Sequence, residues 1–261
     1  MNFLNTYIPD PVAFEVFGFS VMWYGVIIGA AILLGAVAAY VRAPKYEIPG
    51  EKTLDMMIIC LIAGVIGARL YYVVFNWGDY SEDFMKIINL RLGGLAIHGG
   101  LICGFLAAFL ICKLWKMRPL NVFDLFAPSI ALAQSIGRWG NYFNSEAHGG
   151  PTELPWGIPI DGQMVHPTFL YESIWCFILF LVLIFIGNRR SFEGQIFLLY
   201  GMLYSLGRFF IEALRTDSLM IGMFKQAQVM SVVVFIICLV ALIMLGKSAK
   251  TRGRIYFSRR V

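Results

Sequence analysis

Seven stretches of the chain are dominated by apolar residues, at about 18–41, 54–76, 94–112, 120–136, 169–187, 195–214 and 229–246. Each falls near the roughly 17–25 residues that a helix needs to cross a hydrocarbon layer. The pattern predicts a bundle of spanning helices. The third and fourth stretches depart most from it, since each holds several Gly, Ala or polar residues. Two intervening segments have a character of their own. Residues 77–93 contain the run Asp79-Tyr80-Ser81-Glu82-Asp83 and then Phe84, Ile87 and Ile88 at helical spacing. This predicts a short helix lying on the outer leaflet. Residues 137–168 form a polar insertion with Pro151, Pro155, Pro159 and Pro167 and with Gly149, Gly150, Gly157 and Gly162. Within it, Trp156 to Val165 reads as a small hairpin with Asp161-Gly162 at its turn. No internal repeat is visible, which weighs against a transporter built from inverted repeats.

Composition agrees with this reading. The 261 residues are 59% hydrophobic and only 14% charged, whereas soluble domains are near half apolar and a quarter charged. Disorder is excluded, because it requires low hydrophobicity and high net charge. The 22 Phe, 12 Tyr and 6 Trp suit a body that meets lipid and a membrane interface. The expected fold is an all-α integral membrane protein, a seven-transmembrane-helix bundle forming a single polytopic domain over 1–261.

The formal charge of +5 decides orientation rather than suggesting nucleic acid. With the N-terminus outside, the inner segments carry Arg42, Lys45, Lys52, Lys113, Lys116, Arg118, Arg189, Arg190 and six basic residues from Lys247 onward. The outer segments carry Lys86, Arg91, Arg138, Arg215 and Lys225. This 14-to-5 bias predicts the N-terminus outside and the C-terminus in the cytoplasm. The insertion 137–168, between spans four and five, is then extracytoplasmic. Met1 to Gly18 has no Lys or Arg and so lacks the positive region of a cleavable signal peptide. The basic tail after Leu245 is expected at the cytoplasmic headgroups. Cys60, Cys103, Cys112, Cys176 and Cys238 all lie in apolar runs without a CxxC spacing, and are read as small buried hydrophobes.

Polar residues of the spans gather in the outer half. Arg69 lies roughly 10 Å before the outer end of span two, His98 about one turn into span three, and Arg208 roughly 9 Å before the end of span six. Tyr24, Arg138, Asn141 and Glu172 fall at the same level. Arg208, Glu212 and Arg215, spaced by four and three, share one helical face, where the glutamate holds one arginine and leaves another free for an anion. Asp55 and Asp124 sit in the first turns of outward-running helices, and the helix dipole accounts for them. A transport path would need polar lining in both halves.

Arginines at that depth point to an anionic ligand, and a phospholipid headgroup is the most available one. Competing readings are snorkelling, for which Arg69 is close enough to the surface, and pairing with Glu146 or Glu212. His98 is followed by Gly99, Gly100 and Gly104, which permit either close helix packing or the approach of a ligand to the ring. An imidazole can accept a proton from a thiol placed next to phosphate-binding cations. The run from Gly137 to Gly149 packs Arg138, Asn141, Asn144, Glu146 and three glycines into thirteen residues just outside span four. It offers amides, backbone N–H groups and a cation to a phosphate, or is simply a polar glycine-rich turn.

The same run resembles the signature Gly-Arg-x-Gly/Ala-Asn-Phe-x-Asn-x-Glu-x-x-Gly of the bacterial phosphatidylglycerol–prolipoprotein diacylglyceryl transferases, with Tyr142 in place of Phe. Further pieces are Trp23-Tyr24-Gly25, His98-Gly99-Gly100-Leu101, His166-Pro167-Thr168, Tyr171-Glu172, and Arg208 with Glu212 and Arg215. The resemblance implies a monomeric multi-pass enzyme of the bacterial cytoplasmic membrane with its site facing outward. It implies transfer of diacylglyceryl from phosphatidylglycerol to the lipobox cysteine of a preprolipoprotein, with a thioether formed and glycerol 1-phosphate released. It implies that Arg138 and Arg208 bind the phosphate, that Tyr24, Asn141 and Gly149 line the lipid site, that Glu146, Glu212 and Arg215 support it, and that His98 is the candidate base. No cofactor, metal or nucleic acid is expected, since His98, His148 and His166 lie in separate segments. An anion or lipid transporter and a non-enzymatic receptor are the alternatives from other classes.

Overall fold

The computed structural model describes residues 10–81, 83, 85–89, 93–160 and 162–251. Glu82, Phe84, Arg91, Asp161, most of the N-terminal segment and the tail from Arg252, on which parts of the reading above fall, lie outside them. The described chain is mainly helical. Its elements are β1 (Val12–Val16), β2 (Phe19–Met22), α1 (Trp23–Arg42), α2 (Gly50–Phe75), α3 (Met85–Ile88), α4 (Ile97–Leu114), α5 (Pro119–Phe143), β3 (Ile158–Ile160), β4 (Gln163–Val165), α6 (Thr168–Gly187), α7 (Gln195–Leu214), β5 (Met220–Ile221), β6 (Phe224–Lys225) and α8 (Gln226–Thr251). Helices α1, α2, α4, α6, α7 and α8 are long and apolar enough to cross a membrane. They leave Leu33, Leu34, Ile62, Ile66, Leu106, Leu110, Phe185, Phe210, Ile237 and Met244 exposed. So much outward-facing hydrocarbon marks a lipid-contacting surface, and the chain is a multi-pass membrane protein. Among the described residues six helices meet that criterion, against seven expected spans. The exception, α5, carries Asn121, Asp124, Ser129, Gln134, Ser135 and Asn141, because protein rather than lipid covers much of it.

The chain divides into two compact units, Tyr40–Val122 and the remainder. In the smaller unit α2 and α4 run antiparallel and touch backbone to backbone. A Cβ on Gly99 would collide with the Gly67 carbonyl and the Tyr71 Cβ, and one on Gly67 with Cys103. Small residues here permit close helix approach, so packing explains Gly99. Arg69 is buried and does not snorkel. Its guanidinium donates to the carbonyls of Lys86 (2.6 Å), Ile87 (2.9 Å), Asn89 (3.1 Å), Gly93 (2.6 Å) and Gly94 (2.9 Å). It also lies 5.1 Å over the Tyr80 ring. Next to it, the Ala96 amide donates to the Ala68 carbonyl at 3.0 Å, which sets the entry into α4. The described part of 77–93 holds one 3-10 turn, Trp77–Asp79, and a short helix as expected, the single-turn α3 that includes Ile87 and Ile88. Carbonyls that a helix would have used internally go to Arg69 instead.

In the larger unit the chain enters α1 through an antiparallel hairpin, β1 with β2, turned at Phe17-Gly18. Residues 19–22 are therefore strand, and the first helix starts later than its apolar run. Helix α5 is covered from several sides. Gly35 of α1 lies against the Ser129 carbonyl. Ser135 and Ser173 each donate to the other's carbonyl at 2.8 Å, joining α5 to α6. Asp124, fully buried, accepts from the amides of Gly194 (2.8 Å) and Phe197 (2.9 Å) and from Arg190 (3.0 Å). It caps the N-terminus of α7, so hydrogen bonds to a neighbouring helix account for it where the dipole of its own helix was expected to, because its side chain crosses to the free amides there. Trp175 of α6 fills the space beside Gly207, and Cys238 of α8 the space beside Gly201. Ala127, Ala131, Leu179, Leu183 and Ile196 form the core between these helices. The hairpin read at 156–165 is present as β3 and β4, with Ile158 opposite Val165, Ile160 opposite Gln163, and Gly162 at φ +77. Its buried face rests on Phe169. All five cysteines are free; Cys112, Cys176 and Cys238 are buried, while Cys60 and Cys103 are half-buried.

Candidate active site

The polar end of α5 is helical to Phe143. Residues 137–143 are thus not a loop outside a span ending at 136. Gly137 and Gly140 are tolerated there because they admit neighbours: a Cβ on Gly140 would press on the Tyr24 ring at 2.8 Å, and one on Gly137 would touch Ile28 at 3.4 Å. Tyr24, in the first turn of α1, therefore lies against α5 at Gly140, and Trp23 stacks on Phe143 at 5.1 Å.

Helices α5, α6 and α7 meet at one carboxylate. Glu172 of α6 receives Arg138 Nη2 on Oε1 at 2.6 Å and Arg208 Nη1 on Oε2 at 2.7 Å, and the Tyr204 hydroxyl donates to Oε1 at 2.9 Å. Its side chain is 3% exposed, against 23% for Arg138 and 16% for Arg208. A lone carboxylate would not persist in such a place, since burial of an unpaired charge costs several kcal/mol. Two guanidinium groups and a hydroxyl supply the compensation, and the carboxylate in turn draws the two arginines together. The support extends inward: Tyr204 stacks on Tyr200 at 5.8 Å, and the Tyr200 hydroxyl donates to Gln134 at 2.8 Å.

Along α7, Arg208 Nη2 is 2.7 Å from Glu212 Oε2, and Arg215 Nε is 3.9 Å from the same oxygen. These are charge contacts. Neither is aligned as a hydrogen bond, and Glu212 Oε2 is buried without one. The expected ladder exists, but it leaves no arginine unpaired: Arg215 forks onto Asp217 at 2.9 and 2.7 Å. The hydrogen bond from Arg215, and then its charge, hold the Asp217 carboxyl below the usual range. Lys225 donates to the carbonyls of Glu212, Ala213 and Arg215, closing the end of α7.

Among the described residues Glu146 makes no ion pair with an arginine. It accepts from Asn141 Nδ2 at 2.9 Å and Asn144 Nδ2 at 3.3 Å, while Asn141 Oδ1 lies 3.5 Å from Arg138 Nη1. Glu146 reaches the guanidinium only through that amide. Gly149 donates its amide to the His166 carbonyl at 2.8 Å and pairs with Arg215 as an isolated bridge. A Cβ there would come within 2.8 Å of the Leu214 carbonyl, so glycine fits where the insertion meets α7. His166 and Trp156 converge on the Tyr171 hydroxyl at 3.3 and 2.9 Å. His98 lies in the first turn of α4 in the smaller unit, exposed, with its ring 6.2 Å from that of Tyr71.

Tyr24, Arg138, Asn141, Glu146, Gly149, Arg208, Glu212 and Arg215 thus all lie in the larger unit, and a chain of contacts runs Glu146–Asn141–Arg138–Glu172–Arg208–Glu212–Arg215. Sequence reasoning placed Glu172 at the head of span five without giving it a role, and passed over Tyr204. Two signals were available: a single acid opening an otherwise apolar helix, and a tyrosine one turn before Arg208.

Residues 11–244 match the model of the prolipoprotein diacylglyceryl transferase family. The chain belongs to that family. It is 48% identical to the phosphatidylglycerol–prolipoprotein diacylglyceryl transferase of Clostridioides difficile (strain 630), over 92% of this chain and 97% of the relative. It is 47% identical to the protein of the same name from Finegoldia magna, over 87% and 92%, and 46% identical to that of Clostridium novyi, over 90% and 95%. Within this diacylglyceryl transferase family member, the matched region takes in every residue of the charged chain described above.

Proposed function

We propose that this protein transfers the diacylglyceryl group of phosphatidylglycerol to the lipobox cysteine thiol of a preprolipoprotein, the first step of lipoprotein maturation. Sulfur forms a bond to the glyceryl carbon, and the carbon–oxygen bond to phosphate breaks. The bonding electrons stay on the phosphate, so glycerol 1-phosphate leaves and a thioether remains. The observation that carries the reading is the paired placement of Arg138 and Arg208 on Glu172, two fixed guanidinium groups on neighbouring helices. Arginine forks match phosphate oxygens. They stabilise the negative charge that grows as the carbon–oxygen bond breaks, most effectively where water is scarce.

Tyr24, Asn141 and Gly149 line the lipid site in this reading, and Glu146, Glu212 and Arg215 keep the cations in place. His98 accepts the thiol proton, and the nucleophile comes from the incoming polypeptide, so no enzyme cysteine is needed. Helix α5 is the seventh crossing, its polar face satisfied by its neighbours. The N-terminus lies outside and the C-terminus in the cytoplasm, by the basic-residue bias. The site opens outward from the bacterial cytoplasmic membrane, and residues 1–261 act as one monomeric functional domain without cofactor or metal.

The test uses purified protein, phosphatidylglycerol and a lipobox peptide in detergent. The peptide is expected to gain the mass of one diacylglyceryl unit. Arg138→Ala is expected to abolish the gain while the protein still inserts, and His98→Asn to reduce it strongly. No mass gain with wild-type protein rejects the transferase. Full activity in Arg138→Ala removes that residue from the site, and near-full activity in His98→Asn ends the base assignment.

A further inference from the structure

The ion pairs of this region join Arg138, Arg208 and Arg215 to Glu172, Glu212 and Asp217, three formal positive charges against three negative. The carboxylates that hold the arginines in place also cancel their charge, so affinity for anions alone does not account for this balance. Glu172 is the most telling of them, because it sits between the two cations assigned to the phosphate and touches both. It is also rigidly held, with both oxygens bonded, one of them also to Tyr204, whose ring rests on Tyr200.

The two phosphates that such a site meets differ in charge. A phosphodiester carries one negative charge. The phosphomonoester left after carbon–oxygen cleavage carries close to two near neutral pH, its second pKa being about 6. Bare arginines would hold the second species more tightly than the first, and the site would fill with its own product. A fixed negative charge between the arginines repels a dianion about twice as strongly as a monoanion at the same distance.

We infer that Glu172 sets the charge selectivity of this site, positioning Arg138 and Arg208 for a monoanionic phosphodiester while disfavouring retention of a dianionic phosphomonoester. The inference rests on the transferase reading above and assigns Glu172 a role in that site. Glu172 acts through the arginines and is a positioning residue, not a catalytic one.

The experiment compares wild type, Glu172→Gln and Glu172→Asp at pH 8. It measures transfer rate against phosphatidylglycerol concentration, and inhibition by inorganic phosphate and by glycerol 1-phosphate. Glu172→Gln keeps the shape and loses the charge. Both anions are expected to inhibit it at about tenfold lower concentration than wild type, as removal of a charge a few ångströms away requires, with KM for the lipid changed less than about threefold. Glu172→Asp keeps the charge but is too short to span both arginines. It is expected to lose turnover while keeping the wild-type inhibition constants. A merely architectural role would lower the melting temperature of both variants without changing the ratio of anion inhibition to lipid KM. Unchanged inhibition constants in Glu172→Gln overturn the inference. If that variant is too slow to assay, direct phosphate binding followed by 31P line broadening replaces inhibition, and binding no tighter than wild type overturns it equally. Absence of transfer by the wild type refutes the transferase reading instead, and the binding comparison still decides the role of Glu172.

Discussion

Replacing Arg69 with methionine keeps most of the side-chain volume and removes a cation that satisfies five backbone carbonyls between Lys86 and Gly94 at 2.6–3.1 Å. A hydrogen bond from a charged donor contributes about 1.5–3 kcal/mol, but five such values do not simply add. Desolvating the guanidinium already offsets part of the gain, and carbonyls near the membrane face regain water when released. The loss expected is that of breaking one buried charged contact, about 3–5 kcal/mol. It is local, falling on the segment 85–96 and on the start of α4, where the Ala96 amide bonds the Ala68 carbonyl beside Arg69. Hydrogen exchange followed by mass spectrometry in detergent reads it directly. At tenfold per 1.4 kcal/mol, peptides covering 93–100 are expected to exchange at least about 100-fold faster in Arg69→Met. Arg69→Lys, with three donors on one compact nitrogen, is expected to recover less than half of the protection. Exchange within about threefold of wild type would falsify the assignment of Arg69 as the organiser of this segment, since ~0.6 kcal/mol is no more than one weak hydrogen bond.

Four further outcomes are expected. Asp124→Asn keeps one acceptor oxygen for the amides that start α7 but removes the buried charge paired with half-buried Arg190, and thermal unfolding in detergent should register a loss of about 2–4 kcal/mol; a loss below ~0.5 kcal/mol contradicts the cross-helix cap. Gly99→Leu drives a side chain into the Gly67 carbonyl and should cost at least about 1–3 kcal/mol, whereas Gly29→Ala, with no atom within 4 Å of the new Cβ, should be neutral or slightly stabilising by the same assay. Asp217 titrates below the usual range because Arg215 holds its charged form, so its stabilisation is present above about pH 4 and lost only as pH falls through the depressed value. The pair is partly exposed and contributes less than ~1 kcal/mol, so transfer by Asp217→Asn between pH 6 and 8 should match wild type; a changed pH profile in that range refutes this. Ala at Cys103 and at Cys176 should leave transfer largely intact, and its total loss would point to a covalent enzyme intermediate.

How far the chain could be read in advance differed by kind of interaction. Apolar length located the helices within a few residues, because a hydrocarbon slab imposes nearly the same requirement on any chain that crosses it. The hairpin at Ile158–Val165 was legible because a two-residue turn ending in Gly162 is a local demand on φ. The start of α1 was misplaced: Phe19–Met22 is as apolar as the helix after it, and strand pairing with Val12–Val16 decided the matter. Helix α5 was ended too early, since Gly137 and Gly140 read as loop residues until Ile28 and Tyr24 are seen against them.

Partners were the least legible property. Spacing put Arg208, Glu212 and Arg215 on one face, because helical periodicity is a property of the segment alone. It did not tell that Arg215 would turn to Asp217, that Glu146 would take Asn141, that Asp124 would cap α7, or that Arg69 would gather a loop. The sequence by itself determined the membrane-crossing character, the charge bias and the polar residue types available to the candidate site, since these follow from hydrophobicity and chemistry counted along the chain. Only the tertiary structure decided which carboxylate lies between Arg138 and Arg208. Electrostatic energy depends on separation in space, and Glu172 is brought to both by the packing of α5, α6 and α7, whose relative rotation and depth the order of the helices along the chain does not fix.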